Sequence, residues 1–284
     1  MELKIKYILF YCLISGCTSN PFWNDNVTSK LNISGKVIAK NKIADTPVYV
    51  WVENIDISTV ADTAGNFSID ISNLASQDGS FSGSIRVFYY IHNYKVEHST
   101  LYITDGRLSN VQTDFDQNGN LLEVVYLERL VSFDMSFSGD ITNNIWDSSN
   151  GDTLNVDFRI NIQDYPVSIY SNVKVLVEPH DYVPSGVLFY SSLNNELYYN
   201  QNNIDFLQRH DFDQNSFSVW EYSCTLQGLE ITPGEYFVRP YFMIYQEDVP
   251  DALIQSLGIV NIEGITMNYI NMPLDMVSKS IFIQ

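Results

Sequence analysis

The sequence predicts an all-β protein that is built from two β-sandwich domains. From Ile33 onward, apolar residues alternate with polar ones, as they do in strands that turn one face to a core. Pairs that favour tight hairpin turns, such as Asp105-Gly106 and Asn118-Gly119, recur at short intervals. No long stretch keeps the apolar spacing of an amphipathic helix. Short strands with frequent turns are typical of sandwiches.

The chain begins with the pattern of a secretory signal that ends at a cysteine. Two lysines precede a short apolar run, and small residues follow the run. The run is shorter than the roughly 20 apolar residues that a membrane-spanning helix needs. The stretch Ile14-Ser15-Gly16-Cys17 resembles the lipobox of bacterial lipoproteins. This resemblance implies that residues 1–16 are a signal peptide and that the thiol of Cys17 carries lipid.

Lipidation at Cys17 implies a membrane partner, because several acyl chains hold a protein stably where a single chain holds it only marginally. The polar residues 17–29 are predicted to form a tether between lipid and body. Thr18 stands where an Asp would resemble an inner-membrane retention signal. We therefore expect a lipid-anchored protein of the bacterial cell envelope, at the outer membrane or the cell surface.

Acidic residues dominate the charge, since 34 Asp and Glu against 15 Lys and Arg give a formal net charge of -19. Such a surface repels phosphates, which argues against a nucleic-acid partner. Of the three cysteines, Cys12 leaves with the signal and Cys17 takes lipid, so Cys224 has no partner for an internal disulfide. Cys224 alternates with Trp220 and Tyr222, which predicts that it packs in the core.

The first domain is predicted over residues 30–130. In a strand over residues 47–53, the valines fall on one face and the aromatic residues on the other. Residues 85–103 are predicted to form a hairpin, and residues 121–128 a last strand before the boundary near Leu130.

Two aromatic pairs in this domain have alternative explanations. Tyr49 and Trp51 share one strand face, and Phe88 and Tyr90 share another. Exposed aromatic rows stack on sugars or peptides, whereas buried rows fill a core or an interface between domains. We favour burial, and binding of a sugar or peptide remains the alternative.

A set of matching stretches gives the first domain a family resemblance. Gly35 lies in the first strand, a second strand follows a turn, and Asp62, Gly65 and Phe67 form an Asp-x-x-Gly-x-Phe hairpin. The glycine relieves the turn, and the Phe enters the core. Residues 33–72 resemble the carboxypeptidase regulatory-like domain, which implies a small transthyretin-like β-sandwich and no particular activity.

The second domain is predicted over residues 131–284 and is also β. Its predicted strands are residues 153–162, 169–177, 186–190, 216–226, 236–245 and 278–283. Residues 194–203 are predicted to be a polar connection, and residues 249–257 the one helix. A Leu-x-x-x-Pro-Gly-x-Tyr stretch that ends at Tyr236 resembles the turn before a late strand in immunoglobulin-like domains. There, a tyrosine hydroxyl braces the turn.

One motif points to a metal. Asp114, Asp116 and Asn118 stand at positions one, three and five of a loop, a glycine follows, and Asn120 adds a backbone carbonyl. Oxygen ligands at this spacing can close on calcium, and glycine permits the sharp turn. Position twelve is valine rather than the glutamate of an EF-hand. The alternative is a hairpin whose aspartates face solvent, and calcium is the one cofactor that the sequence suggests.

No catalytic residues are predicted. The sequence holds neither a His-Glu-x-x-His motif nor a Gly-x-Ser-x-Gly elbow, which metallopeptidases and serine hydrolases need. His92, Glu97 and His98 cluster in sequence, and we interpret them as the polar end of a hairpin.

We therefore expect a non-catalytic, lipid-anchored envelope protein with a structural or adhesive role, which holds an envelope protein or a glycan. The alternative is a module that binds a peptide or an oligosaccharide, stiffened by calcium. A hydrolase is the third and least favoured reading.

Overall fold

The computed structural model describes residues 31–76, 81–109, 113–147, 153–175, 182–184, 186–193, 196–200, 206–224, 231–259 and 267–284. The predicted signal peptide (1–16), Cys17 and the tether (17–29) lie outside these residues. Strands dominate the described chain, which confirms the all-β prediction. In this part of the chain, no helix has the length and apolar content that a membrane crossing requires.

Two sheets form the first half of the chain. Their elements are β1 (Asn32–Ala39), β2 (Tyr49–Val52), β3 (Ile57–Val60), β4 (Asn66–Asp70), α1 (Asn73–Ser76), β5 (Gly83–Tyr90), β6 (Glu97–Thr104), β7 (Arg107–Leu108) and β8 (Val125–Leu127). One sheet has the order β4-β1-β8 and the other β3-β2-β5-β6-β7. Both sheets send apolar side chains into one shared core, so this half is a β-sandwich.

The predicted hairpin over residues 85–103 is confirmed, because β5 and β6 pair antiparallel, with Ile85 opposite Leu101. The strand predicted over residues 121–128 is shorter than expected. The amide of Leu121 donates to the Ser34 carbonyl, whereas the amide of Leu122 donates to Asp114. Residues 120 and 121 form only isolated bridges, Asn120 with Ser34 and Leu121 with Phe115, and regular pairing with β1 begins only at β8.

Three sheets form the second half of the chain. Their strands are β9 (Val131–Gly139), β10 (Ile141–Thr142), β11 (Ile145–Trp146), β12 (Leu154–Ile162), β13 (Val167–Val175), β14 (Tyr182–Pro184), β15 (Val187–Ser191), β16 (Glu196–Asn200), β17 (Phe206–Phe212), β18 (Phe217–Cys224), β19 (Gly234–Pro240), β20 (Phe242–Tyr245) and β21 (Lys279–Ile283). Two helices, α2 (Asp251–Ser256) and α3 (Met267–Asn271), precede β21. The sheets run β18-β12-β9, β10-β11-β21-β19-β15-β16 and β14-β13-β17, with β20 beside β13.

Two sequence predictions for this half are corrected. The polar connection over residues 194–203 contains β16, which pairs with β15 and places Tyr198 with its ring centroid 5.8 Å from that of Tyr236. The strand predicted over residues 236–245 divides into β19 and β20. Pro240 has no amide hydrogen to donate to a ladder, and after it the chain passes from the sheet of β19 to β13, where β20 pairs.

Other expectations hold. Cys224 is fully buried in the core of the second half. The helix predicted over residues 249–257 is present as α2, and begins after Pro250. The hydroxyl of Tyr236 lies 2.8 Å from the Thr232 carbonyl, as in the predicted tyrosine brace, and 2.7 Å from the Glu196 carboxylate.

Buried residues form one large cluster in each half. The first cluster uses residues from Leu31 to Leu127, and the second uses residues from Leu130 to Ile283. A smaller cluster joins the halves, because Leu253 of α2 packs against the aromatic face of the first half (Tyr49, Trp51, Phe88 and Tyr90). Burial of the two aromatic pairs is thereby confirmed. The domain limits 30–130 and 131–284 stay a prediction.

Candidate functional site

The candidate site lies where the two halves meet, around residues 272–276, which we call the linking segment. This segment runs between α3 and β21 and bonds to loops of the first half. Pro273 accepts a hydrogen bond from the amide of His92 at 2.7 Å. The side chain of Asn93 bonds both backbone groups of Asp275, at 2.9 and 3.0 Å.

One side of the linking segment is closed by a buried ion pair between Asp275 and Arg129. The Asp275 side chain is 0% exposed and that of Arg129 is 8% exposed. The carboxylate also accepts hydrogen bonds from the amides of Ile43 and Ala44, the shorter contacts being 3.0 and 2.7 Å, and from the Tyr94 hydroxyl at 2.9 Å. A buried charge needs such partners, since an unpaired one costs several kcal/mol. This side of the segment is therefore a fully bonded structural joint.

Two neighbours of this joint are ionisable groups that stay neutral. Burial raises the pKa of the Tyr94 hydroxyl. Burial also lowers the pKa of His92 to about 3. Nε2 of His92 accepts the amide of Ile244 at 3.0 Å, and Nδ1 lies 2.7 Å from the Tyr90 hydroxyl. His92 does lie at the end of the predicted hairpin, in the loop between β5 and β6, but the second half covers this loop and buries the side chain.

The other side of the linking segment is an open cleft of about 470 Å³. Apolar side chains form most of its wall, among them Tyr49, Val60 and Leu257, and Asn271 and Ser278 stand at its rim. Arg239 also lines this cleft. We call it the Arg239 cleft.

Arg239 is anchored but has no acidic partner. Its Nη1 donates to the carbonyls of Tyr269 and Ile270, at 3.1 and 2.8 Å. The guanidinium carbon lies 5.8 Å from the ring centroid of Tyr269. Among the described residues, no carboxylate lies within ion-pair distance of Arg239. Burial lowers its pKa, which shows that the surroundings disfavour the cation. Such a charge is a candidate for binding an anion.

A second groove, of about 360 Å³, lies beside α2. Tyr170 and Tyr245 meet edge to face there, with ring centroids 5.9 Å apart. The amide group of Gln246 is used within the protein, because it bonds the backbone of Val96 and Tyr94, both at 2.9 Å. The described residues that line this groove offer an aromatic surface and include no Lys or Arg.

The predicted calcium ligands lie in a tight turn. The carboxylate of Asp116 accepts the amides of Asn118 and Asn120 at 2.8 and 2.7 Å, and the Asn120 side-chain amide at 3.0 Å. These bonds, with the side-chain amide of Asn120 first, lower the pKa of Asp116. Asp114 bonds instead to the amide of Thr100 at 2.7 Å. The Asn120 side chain accepts from Ser34 at 3.0 Å.

A second turn repeats this geometry without the calcium motif. Asp62 accepts the backbone and side-chain amides of Asn66 at 2.7 and 3.0 Å, as Asp116 does from Asn120. Gly65 has a φ of 86° and Gly119 a φ of 82°. The described residues hold no group of three or more His, Cys, Asp or Glu placed to bind a metal. The turn geometry therefore has a structural explanation, and calcium binding stays a prediction.

Comparison with known proteins gives little beyond architecture. No family model matches the chain, and no curated protein matches it. A protein from Bacteroides uniformis, provisionally described as carbohydrate binding, is 10% identical, with 78% of this chain and 92% of that chain covered and a TM-score of 0.34. The major pilin subunit BcpA of Bacillus cereus is 8% identical, with 89% and 68% covered and a TM-score of 0.22. Scores this low transfer no function to this chain, and the lipoprotein, carboxypeptidase regulatory-like and immunoglobulin-like resemblances stay predictions.

Proposed function

We propose that this chain is a non-catalytic protein of the bacterial cell envelope, anchored through lipid on Cys17, with a structural or adhesive role. The joint between the halves carries this proposal. A buried ion pair, a bonded asparagine and an apolar cluster connect the two halves of the described chain. A unit of that kind suits a protein that must hold a partner under load at a surface.

The acidic composition agrees with this role. A formal net charge of -19 keeps an extracytoplasmic body soluble and away from anionic headgroups, so that lipid alone would hold it to the membrane. The partner would be another envelope protein or a glycan.

The anchor is tested by replacing Cys17 with Ser in the full chain. We expect the Cys17→Ser protein to leave the membrane fraction and to lose incorporation of a clickable fatty-acid analogue. Cys12→Ser is the matched control, because Cys12 leaves with the signal, and it should stay lipidated. A Cys17→Ser protein that remained membrane-bound to the wild-type extent would contradict the anchor.

The holding role is tested by cross-linking the lipidated protein in its own envelope and identifying what it captures. Recovery of one specific envelope protein or glycan supports the role. Recovery of nothing above the background of an unrelated lipoprotein argues against it.

The Arg239 cleft favours a second candidate function, a module that binds a peptide or an oligosaccharide. Its volume of about 470 Å³ lies within the range of roughly 300–1,000 Å³ that is usual for small-molecule sites.

A further inference from the structure

We propose that the Arg239 cleft binds the C-terminal residue of a peptide or protein, with the terminal carboxylate on the Arg239 guanidinium and an apolar side chain against the cleft wall. The inference rests on the second candidate function, the binding module. It is independent of the lipid anchor and of the joint between the halves.

Only one of the three side-chain nitrogens of Arg239 donates to a described acceptor. Nη1 is used for two backbone carbonyls of α3, which fixes the guanidinium plane. No described acceptor bonds to Nε or Nη2. These two nitrogens form the edge of the guanidinium that binds a carboxylate through two parallel hydrogen bonds. An anchored guanidinium with that edge free is pre-organised for such a partner.

The charge around Arg239 points the same way. The other partly buried arginine, Arg129, has its carboxylate in Asp275. Although the chain holds 34 acidic residues, the described ones leave Arg239 without one. A cation in low dielectric gains the most when an external anion supplies the missing charge.

The other residues that line the cleft limit which class of carboxylate-bearing ligand can bind there. Val60 and Leu257 offer apolar surface, and Val60 is 56% exposed. Asn271 and Ser278 at the rim can bond a peptide amide, a group that a fatty acid lacks. Asp45 also stands at the rim, where its carboxylate is 3.6 Å from Lys42, and would repel a second negative charge. The chemistry fits one carboxylate, one amide and one apolar side chain.

The test measures binding of three probes to the full chain by calorimetry. They are acetyl-Gly-Ala-Leu with a free carboxylate, the same peptide with a C-terminal amide, and octanoate. We expect the free acid to bind about tenfold or more tightly than the amide, since charge-assisted bonds are lost. Octanoate should bind more weakly than the acid, since it cannot bond the rim.

Two variants locate the site. Arg239→Gln should weaken binding of the acid about tenfold or more and abolish its preference over the amide. Arg209→Gln is the matched control, because Arg209 is exposed and paired with Asp211 at 2.7 Å, and it should bind like the wild type. Val60→Glu adds a negative charge at an exposed position of the cleft wall and leaves the hydrogen bonds between Arg239 and the α3 carbonyls in place. It should also abolish binding.

The outcomes separate cleanly. Equal affinity for acid and amide, or unchanged binding in both Arg239→Gln and Val60→Glu, would overturn the proposal. If octanoate bound as tightly as the peptide, the proposal of a peptide ligand would be wrong, and a fatty acid would be the better candidate. If no probe bound at millimolar concentration, the cleft would not be a binding site. The Cys17→Ser experiment would still test the lipid anchor independently.

Discussion

Arg129 and Arg239 both lie beside the linking segment, and their surroundings differ in whether an acidic partner is present. Arg129 meets the buried carboxylate of Asp275, whereas the partners of Arg239 among the described residues are backbone carbonyls, and Arg239 lines a cleft. A paired buried charge holds a structure together, because removing either partner leaves the other unpaired in low dielectric. An unpaired one is available for a ligand. The same residue type at one interface holds the two halves together at Arg129 and, in the proposed site, would bind a ligand at Arg239.

The largest effect is expected where the paired side is broken. Asp275→Ala removes the counter-charge of Arg129 and the acceptor of two backbone amides, so the free energy of unfolding should fall by about 3–5 kcal/mol. Glu128→Ala is the control, because Glu128 pairs with Lys40 at the surface, and it should cost far less stability than Asp275→Ala. Denaturant unfolding of both variants measures the difference. Equal losses would mean that the joint is not structural.

His92 shows a third way to bury an ionisable group, which is to keep it neutral. Its folded pKa of about 3 lies below the value of 6.5 that applies in the unfolded chain. The unfolded state then binds the proton more readily than the folded state. The contribution of neutral His92 to the free energy of unfolding is therefore complete above pH 6.5 and is lost as the pH falls toward 3. The free energy of unfolding should be about 2 kcal/mol lower at pH 5, since each pH unit below the unfolded pKa is worth about 1.36 kcal/mol.

Unfolding at pH 8 and at pH 5 tests this sign. His92→Gln should lack the part of the pH dependence that belongs to His92, and His98→Gln, at an exposed position, should keep it. If the His92→Gln and His98→Gln proteins lost equal stability between the two pH values, His92 would not be the neutral group.

The smallest effect concerns the two matching turns. If calcium binds at residues 114–120 with weak affinity, calcium at a concentration equal to its dissociation constant should add only about 0.4 kcal/mol. Asp116→Ala should abolish this gain, and Asp62→Ala, in the turn without the motif, should keep it. Thermal unfolding with calcium, against magnesium at equal ionic strength, measures the gain. Equal shifts with both ions, or a calcium response in Asp116→Ala, would leave residues 114–120 as a hairpin turn alone.

Local features were predictable from the sequence because their causes are local. Alternation placed the valines and aromatic residues of β2 on opposite faces, and it placed Cys224 in the core. Both depend only on the pleat of a strand.

The joint and the cleft were not predictable in this way. Asp275 is one of 34 acidic residues, and its partner Arg129 lies 146 positions away. Nothing near Arg239 in the sequence shows that its guanidinium lacks a partner, because that depends on which elements pack around it. The burial of His92 was not predictable for the same reason, since its loop is covered by a strand 152 positions later.

The most direct test of the central claim compares Arg129→Gln with Arg239→Gln by denaturant unfolding of the full chain without ligand. Arg129→Gln leaves Asp275 buried without its counter-charge, so a loss of about 3–5 kcal/mol is expected. Arg239→Gln removes a cation that has no counter-charge and gives up its carbonyl bonds, so the loss should stay below about 2 kcal/mol. A clear gap in this order supports the assignment of Arg129, and not Arg239, to the structural joint. Equal losses, or a larger loss for Arg239→Gln, would contradict the account.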